Sequence, residues 1–125
     1  FGGYPVAAAA GGAVLDVIED EGLIENASRV GARMKAGIES ASSGDERVGD
    51  VRGAGLYLGV DLVRDGAPDP ELAVRVIDAL RDRCVMVGAC SKFGHTLKIR
   101  PPLPLSEDEA DRFLEAFDGA LAATA

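Results

Sequence analysis

The chain is poor in cysteine, in histidine and in positive charge. Two cysteines and one histidine occur in 125 residues. Two cysteines cannot staple a disulfide scaffold, and so small a number fits a reducing, cytoplasmic setting. Thirteen basic residues stand against 21 acidic ones, a formal charge of −8. The summed field repels phosphates, which argues against a general nucleic-acid or anionic-membrane binder. A long apolar run is missing too. The longest uncharged stretch covers residues 1–15 and ends at Asp16, short of the ~20 residues a spanning helix needs. No Lys or Arg precedes it, the first cation being Arg29, so it does not read as a signal peptide. The chain opens on Phe rather than Met, which points to a processed polypeptide or a piece of a longer one.

Apolar residues are abundant, at 47%, and the length suits one domain with a real core. Sixteen glycines announce several tight turns or close backbone approaches. Phe1-Gly2-Gly3-Tyr4-Pro5 reads as a loop, with Pro5 in the first turn of a helix over residues 6–21. From Val6 to Leu15 no side chain is polar. A helix that is apolar all round is buried on most sides, so chain outside these residues, or a second subunit, is expected to cover it. Gly22 closes that helix. Leu23, Ala27, Val30, Met34, Ile38 and Ala41 then form the single stripe of a second helix.

Residues 47–52 are weakly strand-like. Leu56, Leu58, Val60 and Leu62 alternate with Tyr57, Gly59 and Asp61, the period of a half-buried strand. Residues 64–68 read as a turn-rich connection. Asp69-Pro70 opens a third helix whose buried face is Ala73, Val76, Ile77, Leu80 and Cys84. A short buried strand over residues 85–88 and another over 96–100 follow, with Leu97 and Ile99 inward and Lys98 and Arg100 outward. Ser106 and Glu109 form a capping box for a last helix carrying Ala110, Phe113, Leu114, Phe117 and Leu121. The order α-α-β-β-α-β-β-α predicts an α+β two-layer fold, with a small antiparallel sheet of three to four strands and helices on one face.

Few residues carry recognisable chemistry. Gly53-Ala54-Gly55 and Gly59 precede a strand rather than open a helix, which favours a tight turn or bulge over a dinucleotide fingerprint. Cys84, Cys90 and His95 have spacings that match no zinc finger or ribbon, so no metal is expected. Cys84 reads as a small hydrophobe and His95 as a solvated loop residue. Glu107, Asp108, Glu109 and Asp111 suit a helix N-terminus. Arg100 stands out, because Ile99 and Pro101-Pro102 hold it rigidly at a strand end. Two readings are open for it, a surface ion pair and bidentate capture of a carboxylate. Arg52 has the same two readings with weaker positioning.

Four segments, taken in order and spacing, carry a resemblance. They are Phe1-Gly2-Gly3-Tyr4-Pro5-Val6-Ala7, Val14-Leu15-Asp16-Val17-Ile18-Glu19, Gly49-Asp50-Val51-Arg52-Gly53-Ala54-Gly55-Leu56 and Leu97-Lys98-Ile99-Arg100-Pro101-Pro102-Leu103. Together they resemble the C-terminal part of class III aminotransferases, the fold-type-I transferases that use pyridoxal phosphate. The resemblance implies a loop and connecting helix over residues 1–22 and a small C-terminal domain over 23–125. It implies that Gly2 and Gly3 lie beside the phosphate of the partner subunit's cofactor, and that Arg100 binds the carboxylate of an amino or keto acid. Tyr4 departs from the Asn or His that many members carry.

The family's Schiff-base lysine and the aspartate that pairs with the cofactor's pyridine nitrogen lie upstream of Phe1, and none of Lys35, Lys92 and Lys98 matches the lysine. No catalytic residue is therefore expected in this chain, nor a cofactor bound to it alone. The parent is expected to be a homodimeric, cytoplasmic aminotransferase whose large catalytic domain is missing here. The competing expectation is a free-standing α+β binding or oligomerisation module without activity.

Overall fold

A computed structural model describes residues 2–125; Phe1, the start of the expected opening loop, lies outside them. Four helices and five strands follow in the order α1 (Pro5–Asp20), α2 (Leu23–Ala41), β1 (Val48–Ala54), β2 (Tyr57–Arg64), β3 (Ala67–Pro68), α3 (Pro70–Arg81), β4 (Gly88–Cys90), β5 (Thr96–Ile99) and α4 (Glu107–Ala123). The sheet runs β1-β2-β5-β4, antiparallel throughout, with β3 paired to the far end of β2. The α+β expectation holds.

The alternation in β2 sets the layers. Leu58, Val60 and Leu62 are buried, and so are Leu97 and Ile99 of the neighbouring strand β5. All five enter one core with Val30, Met34 and Ile38 of α2, Leu72, Val76 and Leu80 of α3, and Phe113 and Phe117 of α4. Helices α2 and α3 lie on the sheet, and α4 packs on both of them. Bidentate bonds from Arg33 to Asp111, both 2.8 Å, tie α2 to α4. Arg47 links the start of β1 to the end of α4, donating to Asp45 and to the Leu121 carbonyl at 3.0 Å.

The glycine cluster is a turn, as expected. Gly55 has φ 53° and is the first central residue of the two-residue loop joining Ala54 to Tyr57, the glycine position of a type II′ hairpin. That loop lies under α2. A Cβ on Gly31 would stand 2.1 Å from the Gly55 carbonyl oxygen, so only glycine lets the helix cross there. At the other end of β2, Asp65 and Gly66 both have positive φ, 53° and 76°, the type I′ pattern. The connection expected over 64–68 is therefore itself a hairpin.

Two local expectations fail. Cys84 lies past the end of α3 at φ 62° and is exposed, because the helix stops at Arg81. The short strand falls at Gly88–Cys90, not at 85–88, and Met86 is 90% exposed. No residue of α1 is buried, and Val6, Val14 and Leu15 are each more than half exposed. Among the described residues its only contact with another element is with α2.

Candidate functional site

Arg100 follows directly on β5, whose last residue, Ile99, pairs with Leu58 and is buried. Pro101 and Pro102 stop the strand, since neither can donate to a ladder. The side of Arg100 opens on a cleft of about 430 Å³, walled by Met34, Val85, Val87, Ile99, Pro101 and Phe113 among others. Arg100 is the only charged residue in that lining. Ion pairs among the described residues engage Arg29, Arg33, Arg47, Arg52, Arg64 and Arg81 but not Arg75, Arg83, Arg100 or Arg112; of those four only Arg100 lines the apolar cleft. An exposed guanidinium at the edge of an apolar cleft can donate a fork of N–H groups to a planar anion. The apolar walls lower the local dielectric and strengthen such a pair.

Arg52 takes the other of its two readings. It donates to Asp61 at 2.7 and 2.9 Å and to Asp50 at 3.0 Å. Those bonds hold the Asp61 carboxyl below its ordinary range, helped by the Thr96 hydroxyl at 2.5 Å. The group sits on the sheet face that no helix covers. Arg52, Tyr57, Gly59, Cys90, Thr96 and Lys98 line a cleft of about 260 Å³ there. His95 joins it. Its side chain is only 12% exposed, it lies 3.8 Å from Asp61, and its Nδ1 shares a 2.9 Å hydrogen bond with the Ser91 hydroxyl. The expectation of a solvated loop histidine is thus wrong. The loop folds back over the sheet because the Leu62 N–H donates to the His95 carbonyl at 2.9 Å.

Gly2 and Gly3 are exposed, and Gly3 has φ 81°. Neither lines the Arg100 cleft, so the structure does not bring these three site residues together. The lysines are scattered. Lys35 pairs with Glu39 at 3.1 Å, Lys92 lies 5.3 Å from the Phe93 ring, and Lys98 stands on the open sheet face. Cys84, Cys90 and His95 form no metal-ligating group among the described residues. No described helix is long and apolar enough to cross a membrane.

Sequence reasoning missed two groups. The Arg52–Asp61–Thr96 cluster arises from cross-strand register, with Arg52 opposite Gly59 and Asp61 opposite Thr96. The polar alternants of β2 were its one visible trace. The other is Asn26, which lies off the helix stripe and bonds the segment after Arg100.

The family model described as Aminotransferase class-III matches residues 1–121. The chain belongs to the class-III aminotransferase family. It is 41% identical to alanine–glyoxylate aminotransferase 2 homolog 2, mitochondrial, of Arabidopsis thaliana, over 94% of this chain and 25% of that protein. Among solved structures it is similar to an amine transaminase from an uncultivated Pseudomonas species in its PLP-bound form, with TM-score 0.88 and 36% identity over 98% of this chain and 28% of that one. It is also similar to a phospholyase from Arthrobacter in complex with phosphoethanolamine, with TM-score 0.90 and 34% identity over 95% of this chain and 29% of that one.

The chain thus spans about a quarter of the length of the curated relatives it matches. These neighbours are fold-type-I enzymes, and the family implies pyridoxal phosphate in the whole protein. The residues described here do not fit that group by themselves. The glycines stand apart from the arginine cleft, and no lysine shares it.

Proposed function

We propose that this chain is the small C-terminal domain of a pyridoxal-phosphate-dependent transaminase and that Arg100 orients the carboxylate of its amino- or keto-acid substrate. One observation carries the reading: Arg100 is the sole charge lining an apolar cleft and has no acidic partner among the described residues. A guanidinium so placed offers two parallel N–H donors to a carboxylate, while the walls accept an aliphatic chain. Fixing the carboxylate fixes the reacting carbon relative to groups outside this chain, and that positional order is a recognised source of rate. Movement of the domain toward the large catalytic domain would close the cleft over the substrate.

In this reading residues 1–22 connect the two domains, and the exposed apolar surface of α1 is covered by the large domain or by the second subunit of a homodimer. Gly2 and Gly3 then lie beside the phosphate of the partner subunit's cofactor. The chemistry of the cofactor belongs to a lysine and an aspartate upstream, so the 125-residue chain alone is inactive. The parent works in the cytoplasm.

A second reading rests on the likeness to the Arthrobacter phospholyase. There the parent would be a lyase acting on a phosphorylated amine, and Arg100 would receive a phosphate, which matches the same fork of donors. The test is Arg100→Ala in the full-length enzyme, assayed with a carboxylate-bearing amino donor, a carboxylate-free amine and phosphoethanolamine. Loss of a charge-assisted pair corresponds to about 1.5–3 kcal/mol, a rise in KM of about 10–150-fold. That rise should fall on the carboxylate-bearing donor and spare the plain amine. A rise on phosphoethanolamine alone selects the lyase, and unchanged kinetics on all three refutes both readings.

A further inference from the structure

Three prolines make the segment after Arg100 unusual. Pro101, Pro102 and Pro104 have no N–H, and each fixes its own φ. The segment can make few backbone bonds of its own, and one is recorded, from the Leu105 N–H to the Pro102 carbonyl at 3.1 Å. Its carbonyls find a donor elsewhere. The Asn26 side-chain amide, from the first turns of α2, donates to the Leu103 carbonyl at 2.8 Å and to the Leu105 carbonyl at 3.0 Å. The same Asn26 accepts from the Arg29 guanidinium through Oδ1 at 3.0 Å. That bond fixes which way the amide points, with both hydrogens toward the proline segment. Arg29 is anchored in turn by an ion pair with Glu107 in the first turn of α4.

We infer that Asn26 is a positioning residue for Arg100: it pins the proline segment to α2 and so fixes the guanidinium at the mouth of its cleft. The inference rests on the carboxylate reading of Arg100. On one side Arg100 is held by β5 through the buried Ile99. On the other, the nearest point bonded to another element is the Leu103 carbonyl that Asn26 holds. Between them stand two prolines whose φ cannot change, so a displacement at Leu103 passes to Arg100 rather than being absorbed. Without the amide, two carbonyls lose their donor and the segment is tied only at Leu105 and at the capped start of α4.

The test uses the full-length enzyme carrying Asn26→Asp, which keeps shape and the Arg29 acceptor but removes both donors, with Asn26→Ala as a second variant and Arg100→Ala as the reference. Each is assayed with a carboxylate-bearing amino donor and a carboxylate-free amine. Hydrogen exchange of peptides covering residues 100–106 is measured alongside. The expected result is a rise in KM of about tenfold, the worth of one to two neutral hydrogen bonds, for the carboxylate-bearing donor only, with kcat little changed and faster exchange in that segment. A KM rise equal on both donors, or exchange unaltered in 100–106, overturns the positioning role even where Arg100→Ala behaves as the clamp requires. Should Arg100→Ala leave the carboxylate donor unaffected, the clamp itself fails, and the inference about Asn26 falls with it. A variant that does not fold while its companion does leaves the decision to the companion, and failure of both to fold overturns the role as stated by making Asn26 a structural residue.

Discussion

Helix α2 carries two buried or half-buried glycines that face very different neighbours, and alanine at each gives opposed expectations. A Cβ on Gly31 would stand 2.1 Å from the Gly55 carbonyl oxygen and 2.3 Å from its carbon. A close C···O contact ordinarily needs about 3.3 Å, so helix and hairpin would have to part by about 1 Å. Neither can yield easily, because Gly55 is locked in a two-residue turn and Val30 and Met34 lie in the core. A Cβ on Gly37 would instead meet the Leu114 side chain first, at 2.4 Å from Cδ1, and a leucine on a half-buried helix face can change rotamer. Both substitutions gain about 1 kcal/mol of helix propensity. Overpacking costs about 1–3 kcal/mol, with rigid backbone at the upper end. Gly31→Ala should therefore lose about 2 kcal/mol net and Gly37→Ala should stay near neutral. For a domain of this size that corresponds to a Tm lowered by about 6–10 °C for Gly31→Ala, read by circular dichroism on the chain. Equal melting of the two variants, or a Gly31→Ala protein as stable as the parent chain, would show that α2 does not cross the hairpin so closely.

Two further outcomes follow from the polar contacts. The Asp61 carboxyl is held below its ordinary value of 3.8, first by Arg52 and then by Thr96, so its folded pKa is depressed. Its contribution is therefore complete above about pH 4 and lost as pH falls through the folded value; Asp61→Asn should be destabilised at neutral pH, by a margin that shrinks toward about pH 2 in denaturant titrations, and a margin constant with pH would contradict the network. Ser106 accepts from the Glu109 N–H at 3.2 Å while Glu109 accepts from the Ser106 N–H at 2.8 Å; Ser106→Ala should cost about 1 kcal/mol, and an unchanged Tm would mean that the box does not hold α4.

Much of the architecture was legible because it depends on neighbours in the chain. The period of two in β2, the Asp69 cap that accepts from the Leu72 N–H at 2.9 Å, and the capping box at Ser106 are all local patterns. What failed depends on where a local pattern is cut off. Cys84 continues the spacing of the α3 stripe, yet the helix ends three residues earlier and the chain turns through φ 62°. The apolar run Val85-Met86-Val87 looked like a strand, but pairing begins at Gly88, opposite Lys98. The β3 hairpin had a signal that went unread, the Asp65-Gly66 pair demanded by a type I′ turn. Asp61, Thr96 and His95 come from two strands and a loop, and only register joins them.

The site divides along the same line. That Arg100 points away from the core follows from strand parity, which a sequence displays. That it lacks an acid does not, because the chain holds 21 acidic residues and any of them could fold back upon it. Arg33, Arg47 and Arg52 each hold an aspartate through two bonds, which is the arrangement expected where acids exceed cations. Arg100 escapes it because the segments around it, Val85 to Val87 on one side and Pro101 to Leu105 on the other, contain no acid at all. A cation among apolar neighbours keeps its donors free for an anion, which is what the proposed carboxylate role of Arg100 requires. The two arginines with the same two readings therefore part: Arg52 is satisfied by Asp50 and Asp61 and ties β1 to β2, while Arg100 has no acid on it among the described residues.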